Sequence, residues 1–219
     1  LTLPENLLVA EEKVPVELPD IKERIDREFL VNTYWQSNGF LMFKRANKYF
    51  PVIEKILAEE NVPEDFKYLA VIESGLTNAV SPAGARGFWQ IMKATGREYG
   101  LEVNTNVDER YHLEKSTRVA CKYLKDAKEK LGSWTLAAAA YNGGMSGMSK
   151  RLNKQQVSGY YDLLLGSETS RYVPRIVAMK YILLQPHKFG FNFNKTDLYK
   201  NIPTRTIKVD SVITNIAQF

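Results

Sequence analysis

The chain has 219 residues, 44% of them hydrophobic, enough to bury about 70% of the surface its unfolded form exposes and to form one main domain with flanking pieces. Its formal net charge of +5 is scattered along the sequence; it favours a polyanionic partner, but the absence of a basic helix, an RGG tract or zinc-type spacing excludes dedicated nucleic-acid binding. The single cysteine, Cys121, excludes an internal disulfide, the isolated His112 and His187 argue against a metal centre or a histidine triad, and no apolar run has bilayer length.

Residues 1–19 hold Pro4, Pro15 and Pro19 without periodicity and read as an extended lead-in. Asp20 is placed to N-cap a helix whose stripe is Ile21, Ile25 and Phe29. Ser37-Asn38-Gly39 is expected to interrupt it, and residues 40–49 and 51–60 to form two short helices, the second opened by Pro51. This front part, residues 1–60, reads as an extension and helical platform in which nothing demands chemistry.

Residues 63–92 are more informative. Pro63 suits the first position of a helix, where a missing N–H costs nothing, and Gly75 suits its left-handed stop. Between them Tyr68 to Ile72 has no polar break, and Glu73 follows. A helix apolar all round is a buried helix, and it carries Glu73 inward. A carboxylic acid in apolar surroundings resists ionisation, as a general acid near neutral pH requires. From this helix alone, a solvated glutamate in the last turn is an equally good reading. The next segment shifts the balance. Ser81-Pro82, Gly84 and Gly87 enforce a compact loop, and Phe88-Trp89-Gln90-Ile91-Met92 places aromatic rings and an amide beside the acid, a set that suits an N-acetylated sugar. Taken singly, Trp89 and Met92 are as well read as core.

Downstream, residues 93–99 fit a short helix closed by Gly100, and Asp108 and Glu109 read as solvated loop acids rather than a second catalytic carboxylate. Leu113, Ala120, Leu124, Ala127 and Leu131 mark a long amphipathic helix ended by Gly132, with Cys121 as a buried, inert thiol. Residues 133–141 form a buried, alanine-rich helix that delivers Tyr141 and Asn142 to a Gly143-Gly144 break; locally these two read as a helix end and its cap. Residues 145–165 are expected to give a helix and a mobile connection. Tyr172, Ile176, Met179 and Leu183 mark the last helix, stopped by Pro186. Residues 204–209 alternate β-branched and polar side chains as a strand would, and a helix is expected to open as the sequence reaches Phe219.

Four ordered motifs carry a resemblance. Glu73-Ser74-Gly75-Leu76, the run from Ser81 to Met92, Ala139-Ala140-Tyr141-Asn142-Gly143-Gly144, and Glu168-Thr169-Ser170-Arg171-Tyr172-Val173-Pro174-Arg175 together resemble the family 1 lytic transglycosylases, bacterial enzymes that cleave peptidoglycan. The Tyr-Val-Pro of the last motif is most similar to the branch named for membrane-bound lytic murein transglycosylase D. The resemblance implies an all-α, goose-type-lysozyme-like domain with a substrate cleft over residues 61–188; the change of pattern from Phe189 adds the expectation of a short β-containing C-terminal extension over 189–219, the start of a further module. It also implies a single acid/base, Glu73, which protonates the oxygen between N-acetylmuramic acid and N-acetylglucosamine. The same carboxylate then takes the C6 hydroxyl proton as that oxygen closes on C1, leaving a 1,6-anhydro end without consuming water. Ser81, Gln90, Met92, Tyr141, Asn142 and Tyr172, with Glu168 beside them, are the implied substrate-binding residues.

No cofactor and no metal are implied. The implied partner is the glycan strand of peptidoglycan, handled by a monomer in the bacterial periplasm or cell envelope, with outer-membrane anchoring through a segment before Leu1 consistent with it. Two other readings stay open: a lysozyme-type hydrolase on the same scaffold, and a wall-binding module without activity, against which the intact Glu73 argues.

Overall fold

The structure is a computed structural model. It describes every residue except Leu1, Thr2, Glu5, Trp35, Thr206, Ile216, Gln218 and Phe219, with the side chains of residues 36–38 also outside the description. Among the described residues, eight α-helices follow one antiparallel two-stranded sheet. They are α1 (Pro19–Tyr34), α2 (Gln36–Glu59), α3 (Lys67–Ser74), α4 (Lys93–Glu98), α5 (Leu113–Leu131), α6 (Trp134–Gly143), α7 (Met145–Gln155) and α8 (Ser167–Leu184). The centre is α6, whose Ala137 to Ala140 are all buried; these small side chains let α5 and α8 approach it closely.

The front of the chain departs from expectation. Residues 1–19 are not a mere lead-in: β1 (Leu8–Val9) pairs with β2 (Glu12–Lys13), and Leu7, Val9 and Val14 enter the core. The Glu12 carboxylate then accepts from the backbone N–H groups of Trp134 and Thr135 at 2.7 and 2.8 Å, capping α6 from 122 residues away. A carboxylate at a helix N-terminus satisfies orphan donors and meets the positive end of the dipole. Glu12→Ala is therefore expected to lower stability by about 1–2 kcal/mol in urea unfolding, and Glu12→Gln by less; a change below about 0.5 kcal/mol would contradict the cap.

Helix α1 starts at Pro19, so Asp20 lies in the first turn and pairs with Arg24 instead of capping. Neither Gly39 nor Pro51 breaks α2. Pro51 sits on the exposed side, while Met42, Phe43, Ala46, Ile53, Ile56 and Leu57 are buried, and that burial outweighs the roughly 3 kcal/mol a helical proline costs. Gly39 is there for contact: a Cβ would stand 2.5 Å from the Phe191 ring. The connection after α7 is held rather than mobile, since buried Tyr160 donates to the Thr169 carbonyl at 2.8 Å and Leu163 is buried beside it.

The strand expected over residues 204–209 is not seen among the described residues of that span, which have no regular structure. Among the described residues its alternating pattern has no neighbouring strand to take its backbone hydrogen bonds, and an unpaired strand is not stable in water. The β structure lies at the other end of the chain. The helix expected near Phe219 falls outside the described residues. Cys121 is fully buried on α5, and burial pushes its thiol up to about 12, as an inert thiol requires.

Candidate active site

Helix α3 is short, and its buried face, Tyr68 to Val71, fixes it in the core. Gly75 ends it at φ +60°, its N–H bonding the Val71 carbonyl at 2.8 Å, and Leu76 continues in the left-handed region with its side chain buried. This sharp exit leaves Glu73 half-buried at the helix end, where it lines a cavity of about 410 Å³. Tyr172, almost fully buried on α8, donates its hydroxyl to Glu73 Oε1 across 99 residues of sequence. Burial pushes the Glu73 carboxyl above the usual carboxylate range; the Tyr172 hydrogen bond and the charge of Arg175 pull it down, and Glu168 pushes it up.

The glycine-rich loop is built tightly against this helix. Ser74 Oγ donates to the Phe88 carbonyl at 2.8 Å, joining the residue after the acid to the loop. Trp89 is fully buried, its indole N–H donating to Thr117 Oγ1 at 2.8 Å, so it is core. Gln90 sits at φ +46°, a strained setting for a residue other than glycine, and its side-chain amide donates to the carbonyls of Ala79 and Gly87, both at 3.0 Å. Ser81 is used locally: its Oγ accepts from the Ala85 N–H at 3.0 Å, and it lines neither cavity at this site.

Gln90, Met92, Tyr141 and Asn142 converge on a second cavity of about 210 Å³ with Thr95 and Tyr123. Met92 is exposed there rather than part of the core. Asn142 Oδ1 accepts from Thr169 Oγ1 at 2.9 Å, and Tyr141 donates to the Trp89 carbonyl at 2.8 Å. Burial raises the Tyr141 phenol well above its ordinary value, and the nearby Glu73 charge adds to the effect. Glu168 is exposed at the start of α8.

Asp108 and Glu109 are engaged in ion pairs instead of solvated. Asp108 accepts from Arg110 through both oxygens at 2.8 Å, and those bonds hold its carboxyl below the usual range; Lys115 does the same for Glu109. Arg110, itself buried, also donates to the carbonyls of Gly84 and Ile91 at 3.0 and 3.1 Å, so this pair clamps the loop.

Local sequence reading missed several residues at the larger cavity. Glu28 on α1, Arg45 on α2, and Arg171 and Arg175 on α8 all line it together with Glu73. Glu28 is fully buried, and its Oε1 accepts from Arg27 and from Arg171 at 2.7 and 2.6 Å. The polar positions on otherwise apolar stripes were the available signal, Glu28 beside Phe29 above all.

The chain matches the family described as Transglycosylase SLT domain over residues 50–163, just over half its length. It belongs to that family. This SLT domain is 33% identical over 159 residues to membrane-bound lytic murein transglycosylase D of Escherichia coli strain K12, and equally to the protein of that name from E. coli O6:H1. Each match covers 70% of this chain and 35% of the relative, so the chain spans about a third of the curated relatives' length. Its fold is similar to that of an inactive mutant of the lytic transglycosylase Slt from Pseudomonas aeruginosa, with a TM-score of 0.52 and 19% identity, covering 69% of this chain and 26% of the other. The mainly helical, lysozyme-like architecture expected for the SLT domain is thus the one observed. No helix among its described residues is long and apolar enough to cross a membrane.

Proposed function

We propose that this chain is a peptidoglycan lytic transglycosylase that cleaves the bond from N-acetylmuramic acid to N-acetylglucosamine and leaves 1,6-anhydro ends, with Glu73 as its one acid/base. The observation that carries the reading is Glu73 itself: a half-buried carboxyl, raised by burial, facing a sugar-sized cavity and held by the Tyr172 hydroxyl. A raised carboxyl keeps its proton near neutrality and delivers it to the glycosidic oxygen. Once ionised, the same group sits within reach of the C6 hydroxyl and accepts its proton. An intramolecular nucleophile needs no second protein group, because proximity replaces it. Glycoside hydrolysis ordinarily uses two carboxylates. Here Glu28, the other acid lining the cavity, is committed to two guanidinium groups.

In this reading Tyr172 steadies the ionised form of Glu73. Gln90, Met92, Tyr141 and Asn142 bind the sugar on the other side, and Ser81 acts by shaping the loop. Residues 61–188 form the catalytic unit, with 1–60 and 189–219 as its extensions. The names of the E. coli relatives support peptidoglycan as substrate and the bacterial envelope as location. Tyr172→Phe removes the bond that pulls the Glu73 carboxyl down, so the alkaline limb of the pH–rate profile is expected to move to higher pH while turnover falls roughly tenfold; an unmoved limb would remove Tyr172 from this role. The deciding experiment is mass spectrometry of products from purified peptidoglycan. Anhydro ends are expected, and reducing ends, one water heavier, would replace this reading with a hydrolase.

A further inference from the structure

The cavity holding Glu73 carries a charge pattern that proton transfer at a sugar oxygen does not require. Arg45, Arg171 and Arg175 all line it, and most of their donors are uncommitted among the described residues. Arg45 gives Nη1 to the Gly75 carbonyl at 3.1 Å, and Arg171 gives Nε to Glu28 at 2.6 Å. Arg175 lies 5.7 Å from the centre of the Tyr172 ring, and its Nε is buried without a partner. A guanidinium presents five N–H donors in a planar fork that matches a carboxylate. Against these three cations the lining offers Glu73, neutral while it holds its proton, and Glu28. The latter is fully buried with Oε2 unpartnered, and its bond to Arg171 Nε leaves the two Nη groups of that arginine available. The balance in the cavity is positive, and a partly enclosed wall screens charge less than open water does.

We infer that the wall formed by Arg45, Arg171 and Arg175 is an anion subsite that takes a carboxylate carried on the muramic sugar's substituent. The enzyme then selects charged glycan over the uncharged polymer of N-acetylglucosamine. This deepens the function proposed above and rests on it. Glu28 is the positioning residue: it orients Arg171 without touching the ligand. The donor carboxylate has two sources, the lactyl group of a peptide-free strand and the peptide stem of a substituted one, and both present the same chemistry to the fork.

The test is calorimetric binding to the Glu73→Gln chain, which keeps the ligand intact. Three soluble tetrasaccharides are compared: one bearing peptides, the same after amidase has removed them and freed the lactyl carboxylate, and chitotetraose. The peptide-bearing ligand is expected to bind about tenfold tighter than chitotetraose at low salt, an advantage that shrinks as ionic strength rises. An equal advantage for the trimmed ligand assigns the carboxylate to the lactyl group, and its absence assigns it to the stem. Arg45→Met and Arg171→Met, each in the same background, are expected to reduce the advantage below threefold; Arg45→Lys, which keeps the charge, retains part of it, and circular dichroism melts verify folding. Equal affinity for all three ligands, binding of none, or arginine variants that weaken every ligand in the same proportion would overturn the subsite. Failure of the transglycosylase reading is seen separately, in the products of the unmodified chain.

Discussion

Glu73→Gln is expected to lower turnover of purified peptidoglycan about 10³-fold and to leave the fold intact, the loss that removal of a positioned proton donor would produce. No neighbour can replace it. Glu28 is bound to Arg27 and Arg171, Glu168 is exposed, and Asp108 is clamped to Arg110. The amide is nearly the same size and still accepts from Tyr172, so packing is retained. On the proposed role, the rate of the unmodified chain is expected to fall as pH rises through the raised Glu73 pKa, because the acid form is lost. Stability moves in the same direction. A carboxyl raised in the folded state binds more protons there than in the unfolded chain, between its unfolded and its folded pKa, so stability falls as pH rises through that window. Glu73→Gln removes this loss, and its melting temperature should exceed that of the parent at neutral pH, with the gap closing in acid. Turnover of Glu73→Gln within tenfold of the parent would end the assignment.

The second large effect falls on stability. Gly87 lies at φ +82°, and a Cβ there would stand 2.1 Å from the backbone carbonyl oxygen of Arg110. Neither atom belongs to a flexible side chain, so relief requires moving the loop off the residue that anchors it through Gly84 and Ile91. Gly87→Ala is expected to cost about 3–5 kcal/mol, the range reached when backbone strain and overpacking combine. That is a large share of the roughly 5–15 kcal/mol that keeps a domain folded. Arg110→Met should cost a similar amount, since it leaves the Gly84 and Ile91 carbonyls without this donor and Asp108 with only the longer 3.4 Å contact to Arg86 among its guanidinium partners. Urea midpoints decide both, and a Gly87→Ala loss under about 1 kcal/mol would mean the loop yields more easily than its contacts imply.

Much of the helical framework was legible from local pattern. Gly75 and Gly132 end their helices in the left-handed region, as glycines after apolar stripes should, and the apolar run before Glu73 marked α3 as buried. The errors share one cause. Pro51, Gly39 and residues 204–209 were read by propensity, which describes a segment alone. The outcome turned on neighbours: an apolar face that kept α2 whole, a Phe191 ring that required a glycine, and, among the described residues, no strand for 204–209 to pair with.

By itself the sequence determined that an acid would end a buried helix, that a tight glycine loop would follow, and that Tyr141 and Asn142 would lie at the end of an alanine-rich helix. Periodicity and glycine stereochemistry are properties of a few consecutive residues, so they can be read one segment at a time. Only the tertiary structure decided what surrounds that acid. Tyr172 reaches Glu73 across 99 residues, Arg171 meets Glu28 across 143, and Glu12 caps α6 across 122. Such pairings arise from the packing of whole helices, where burial and charge are set by the partner and not by the residue's own neighbours in the chain.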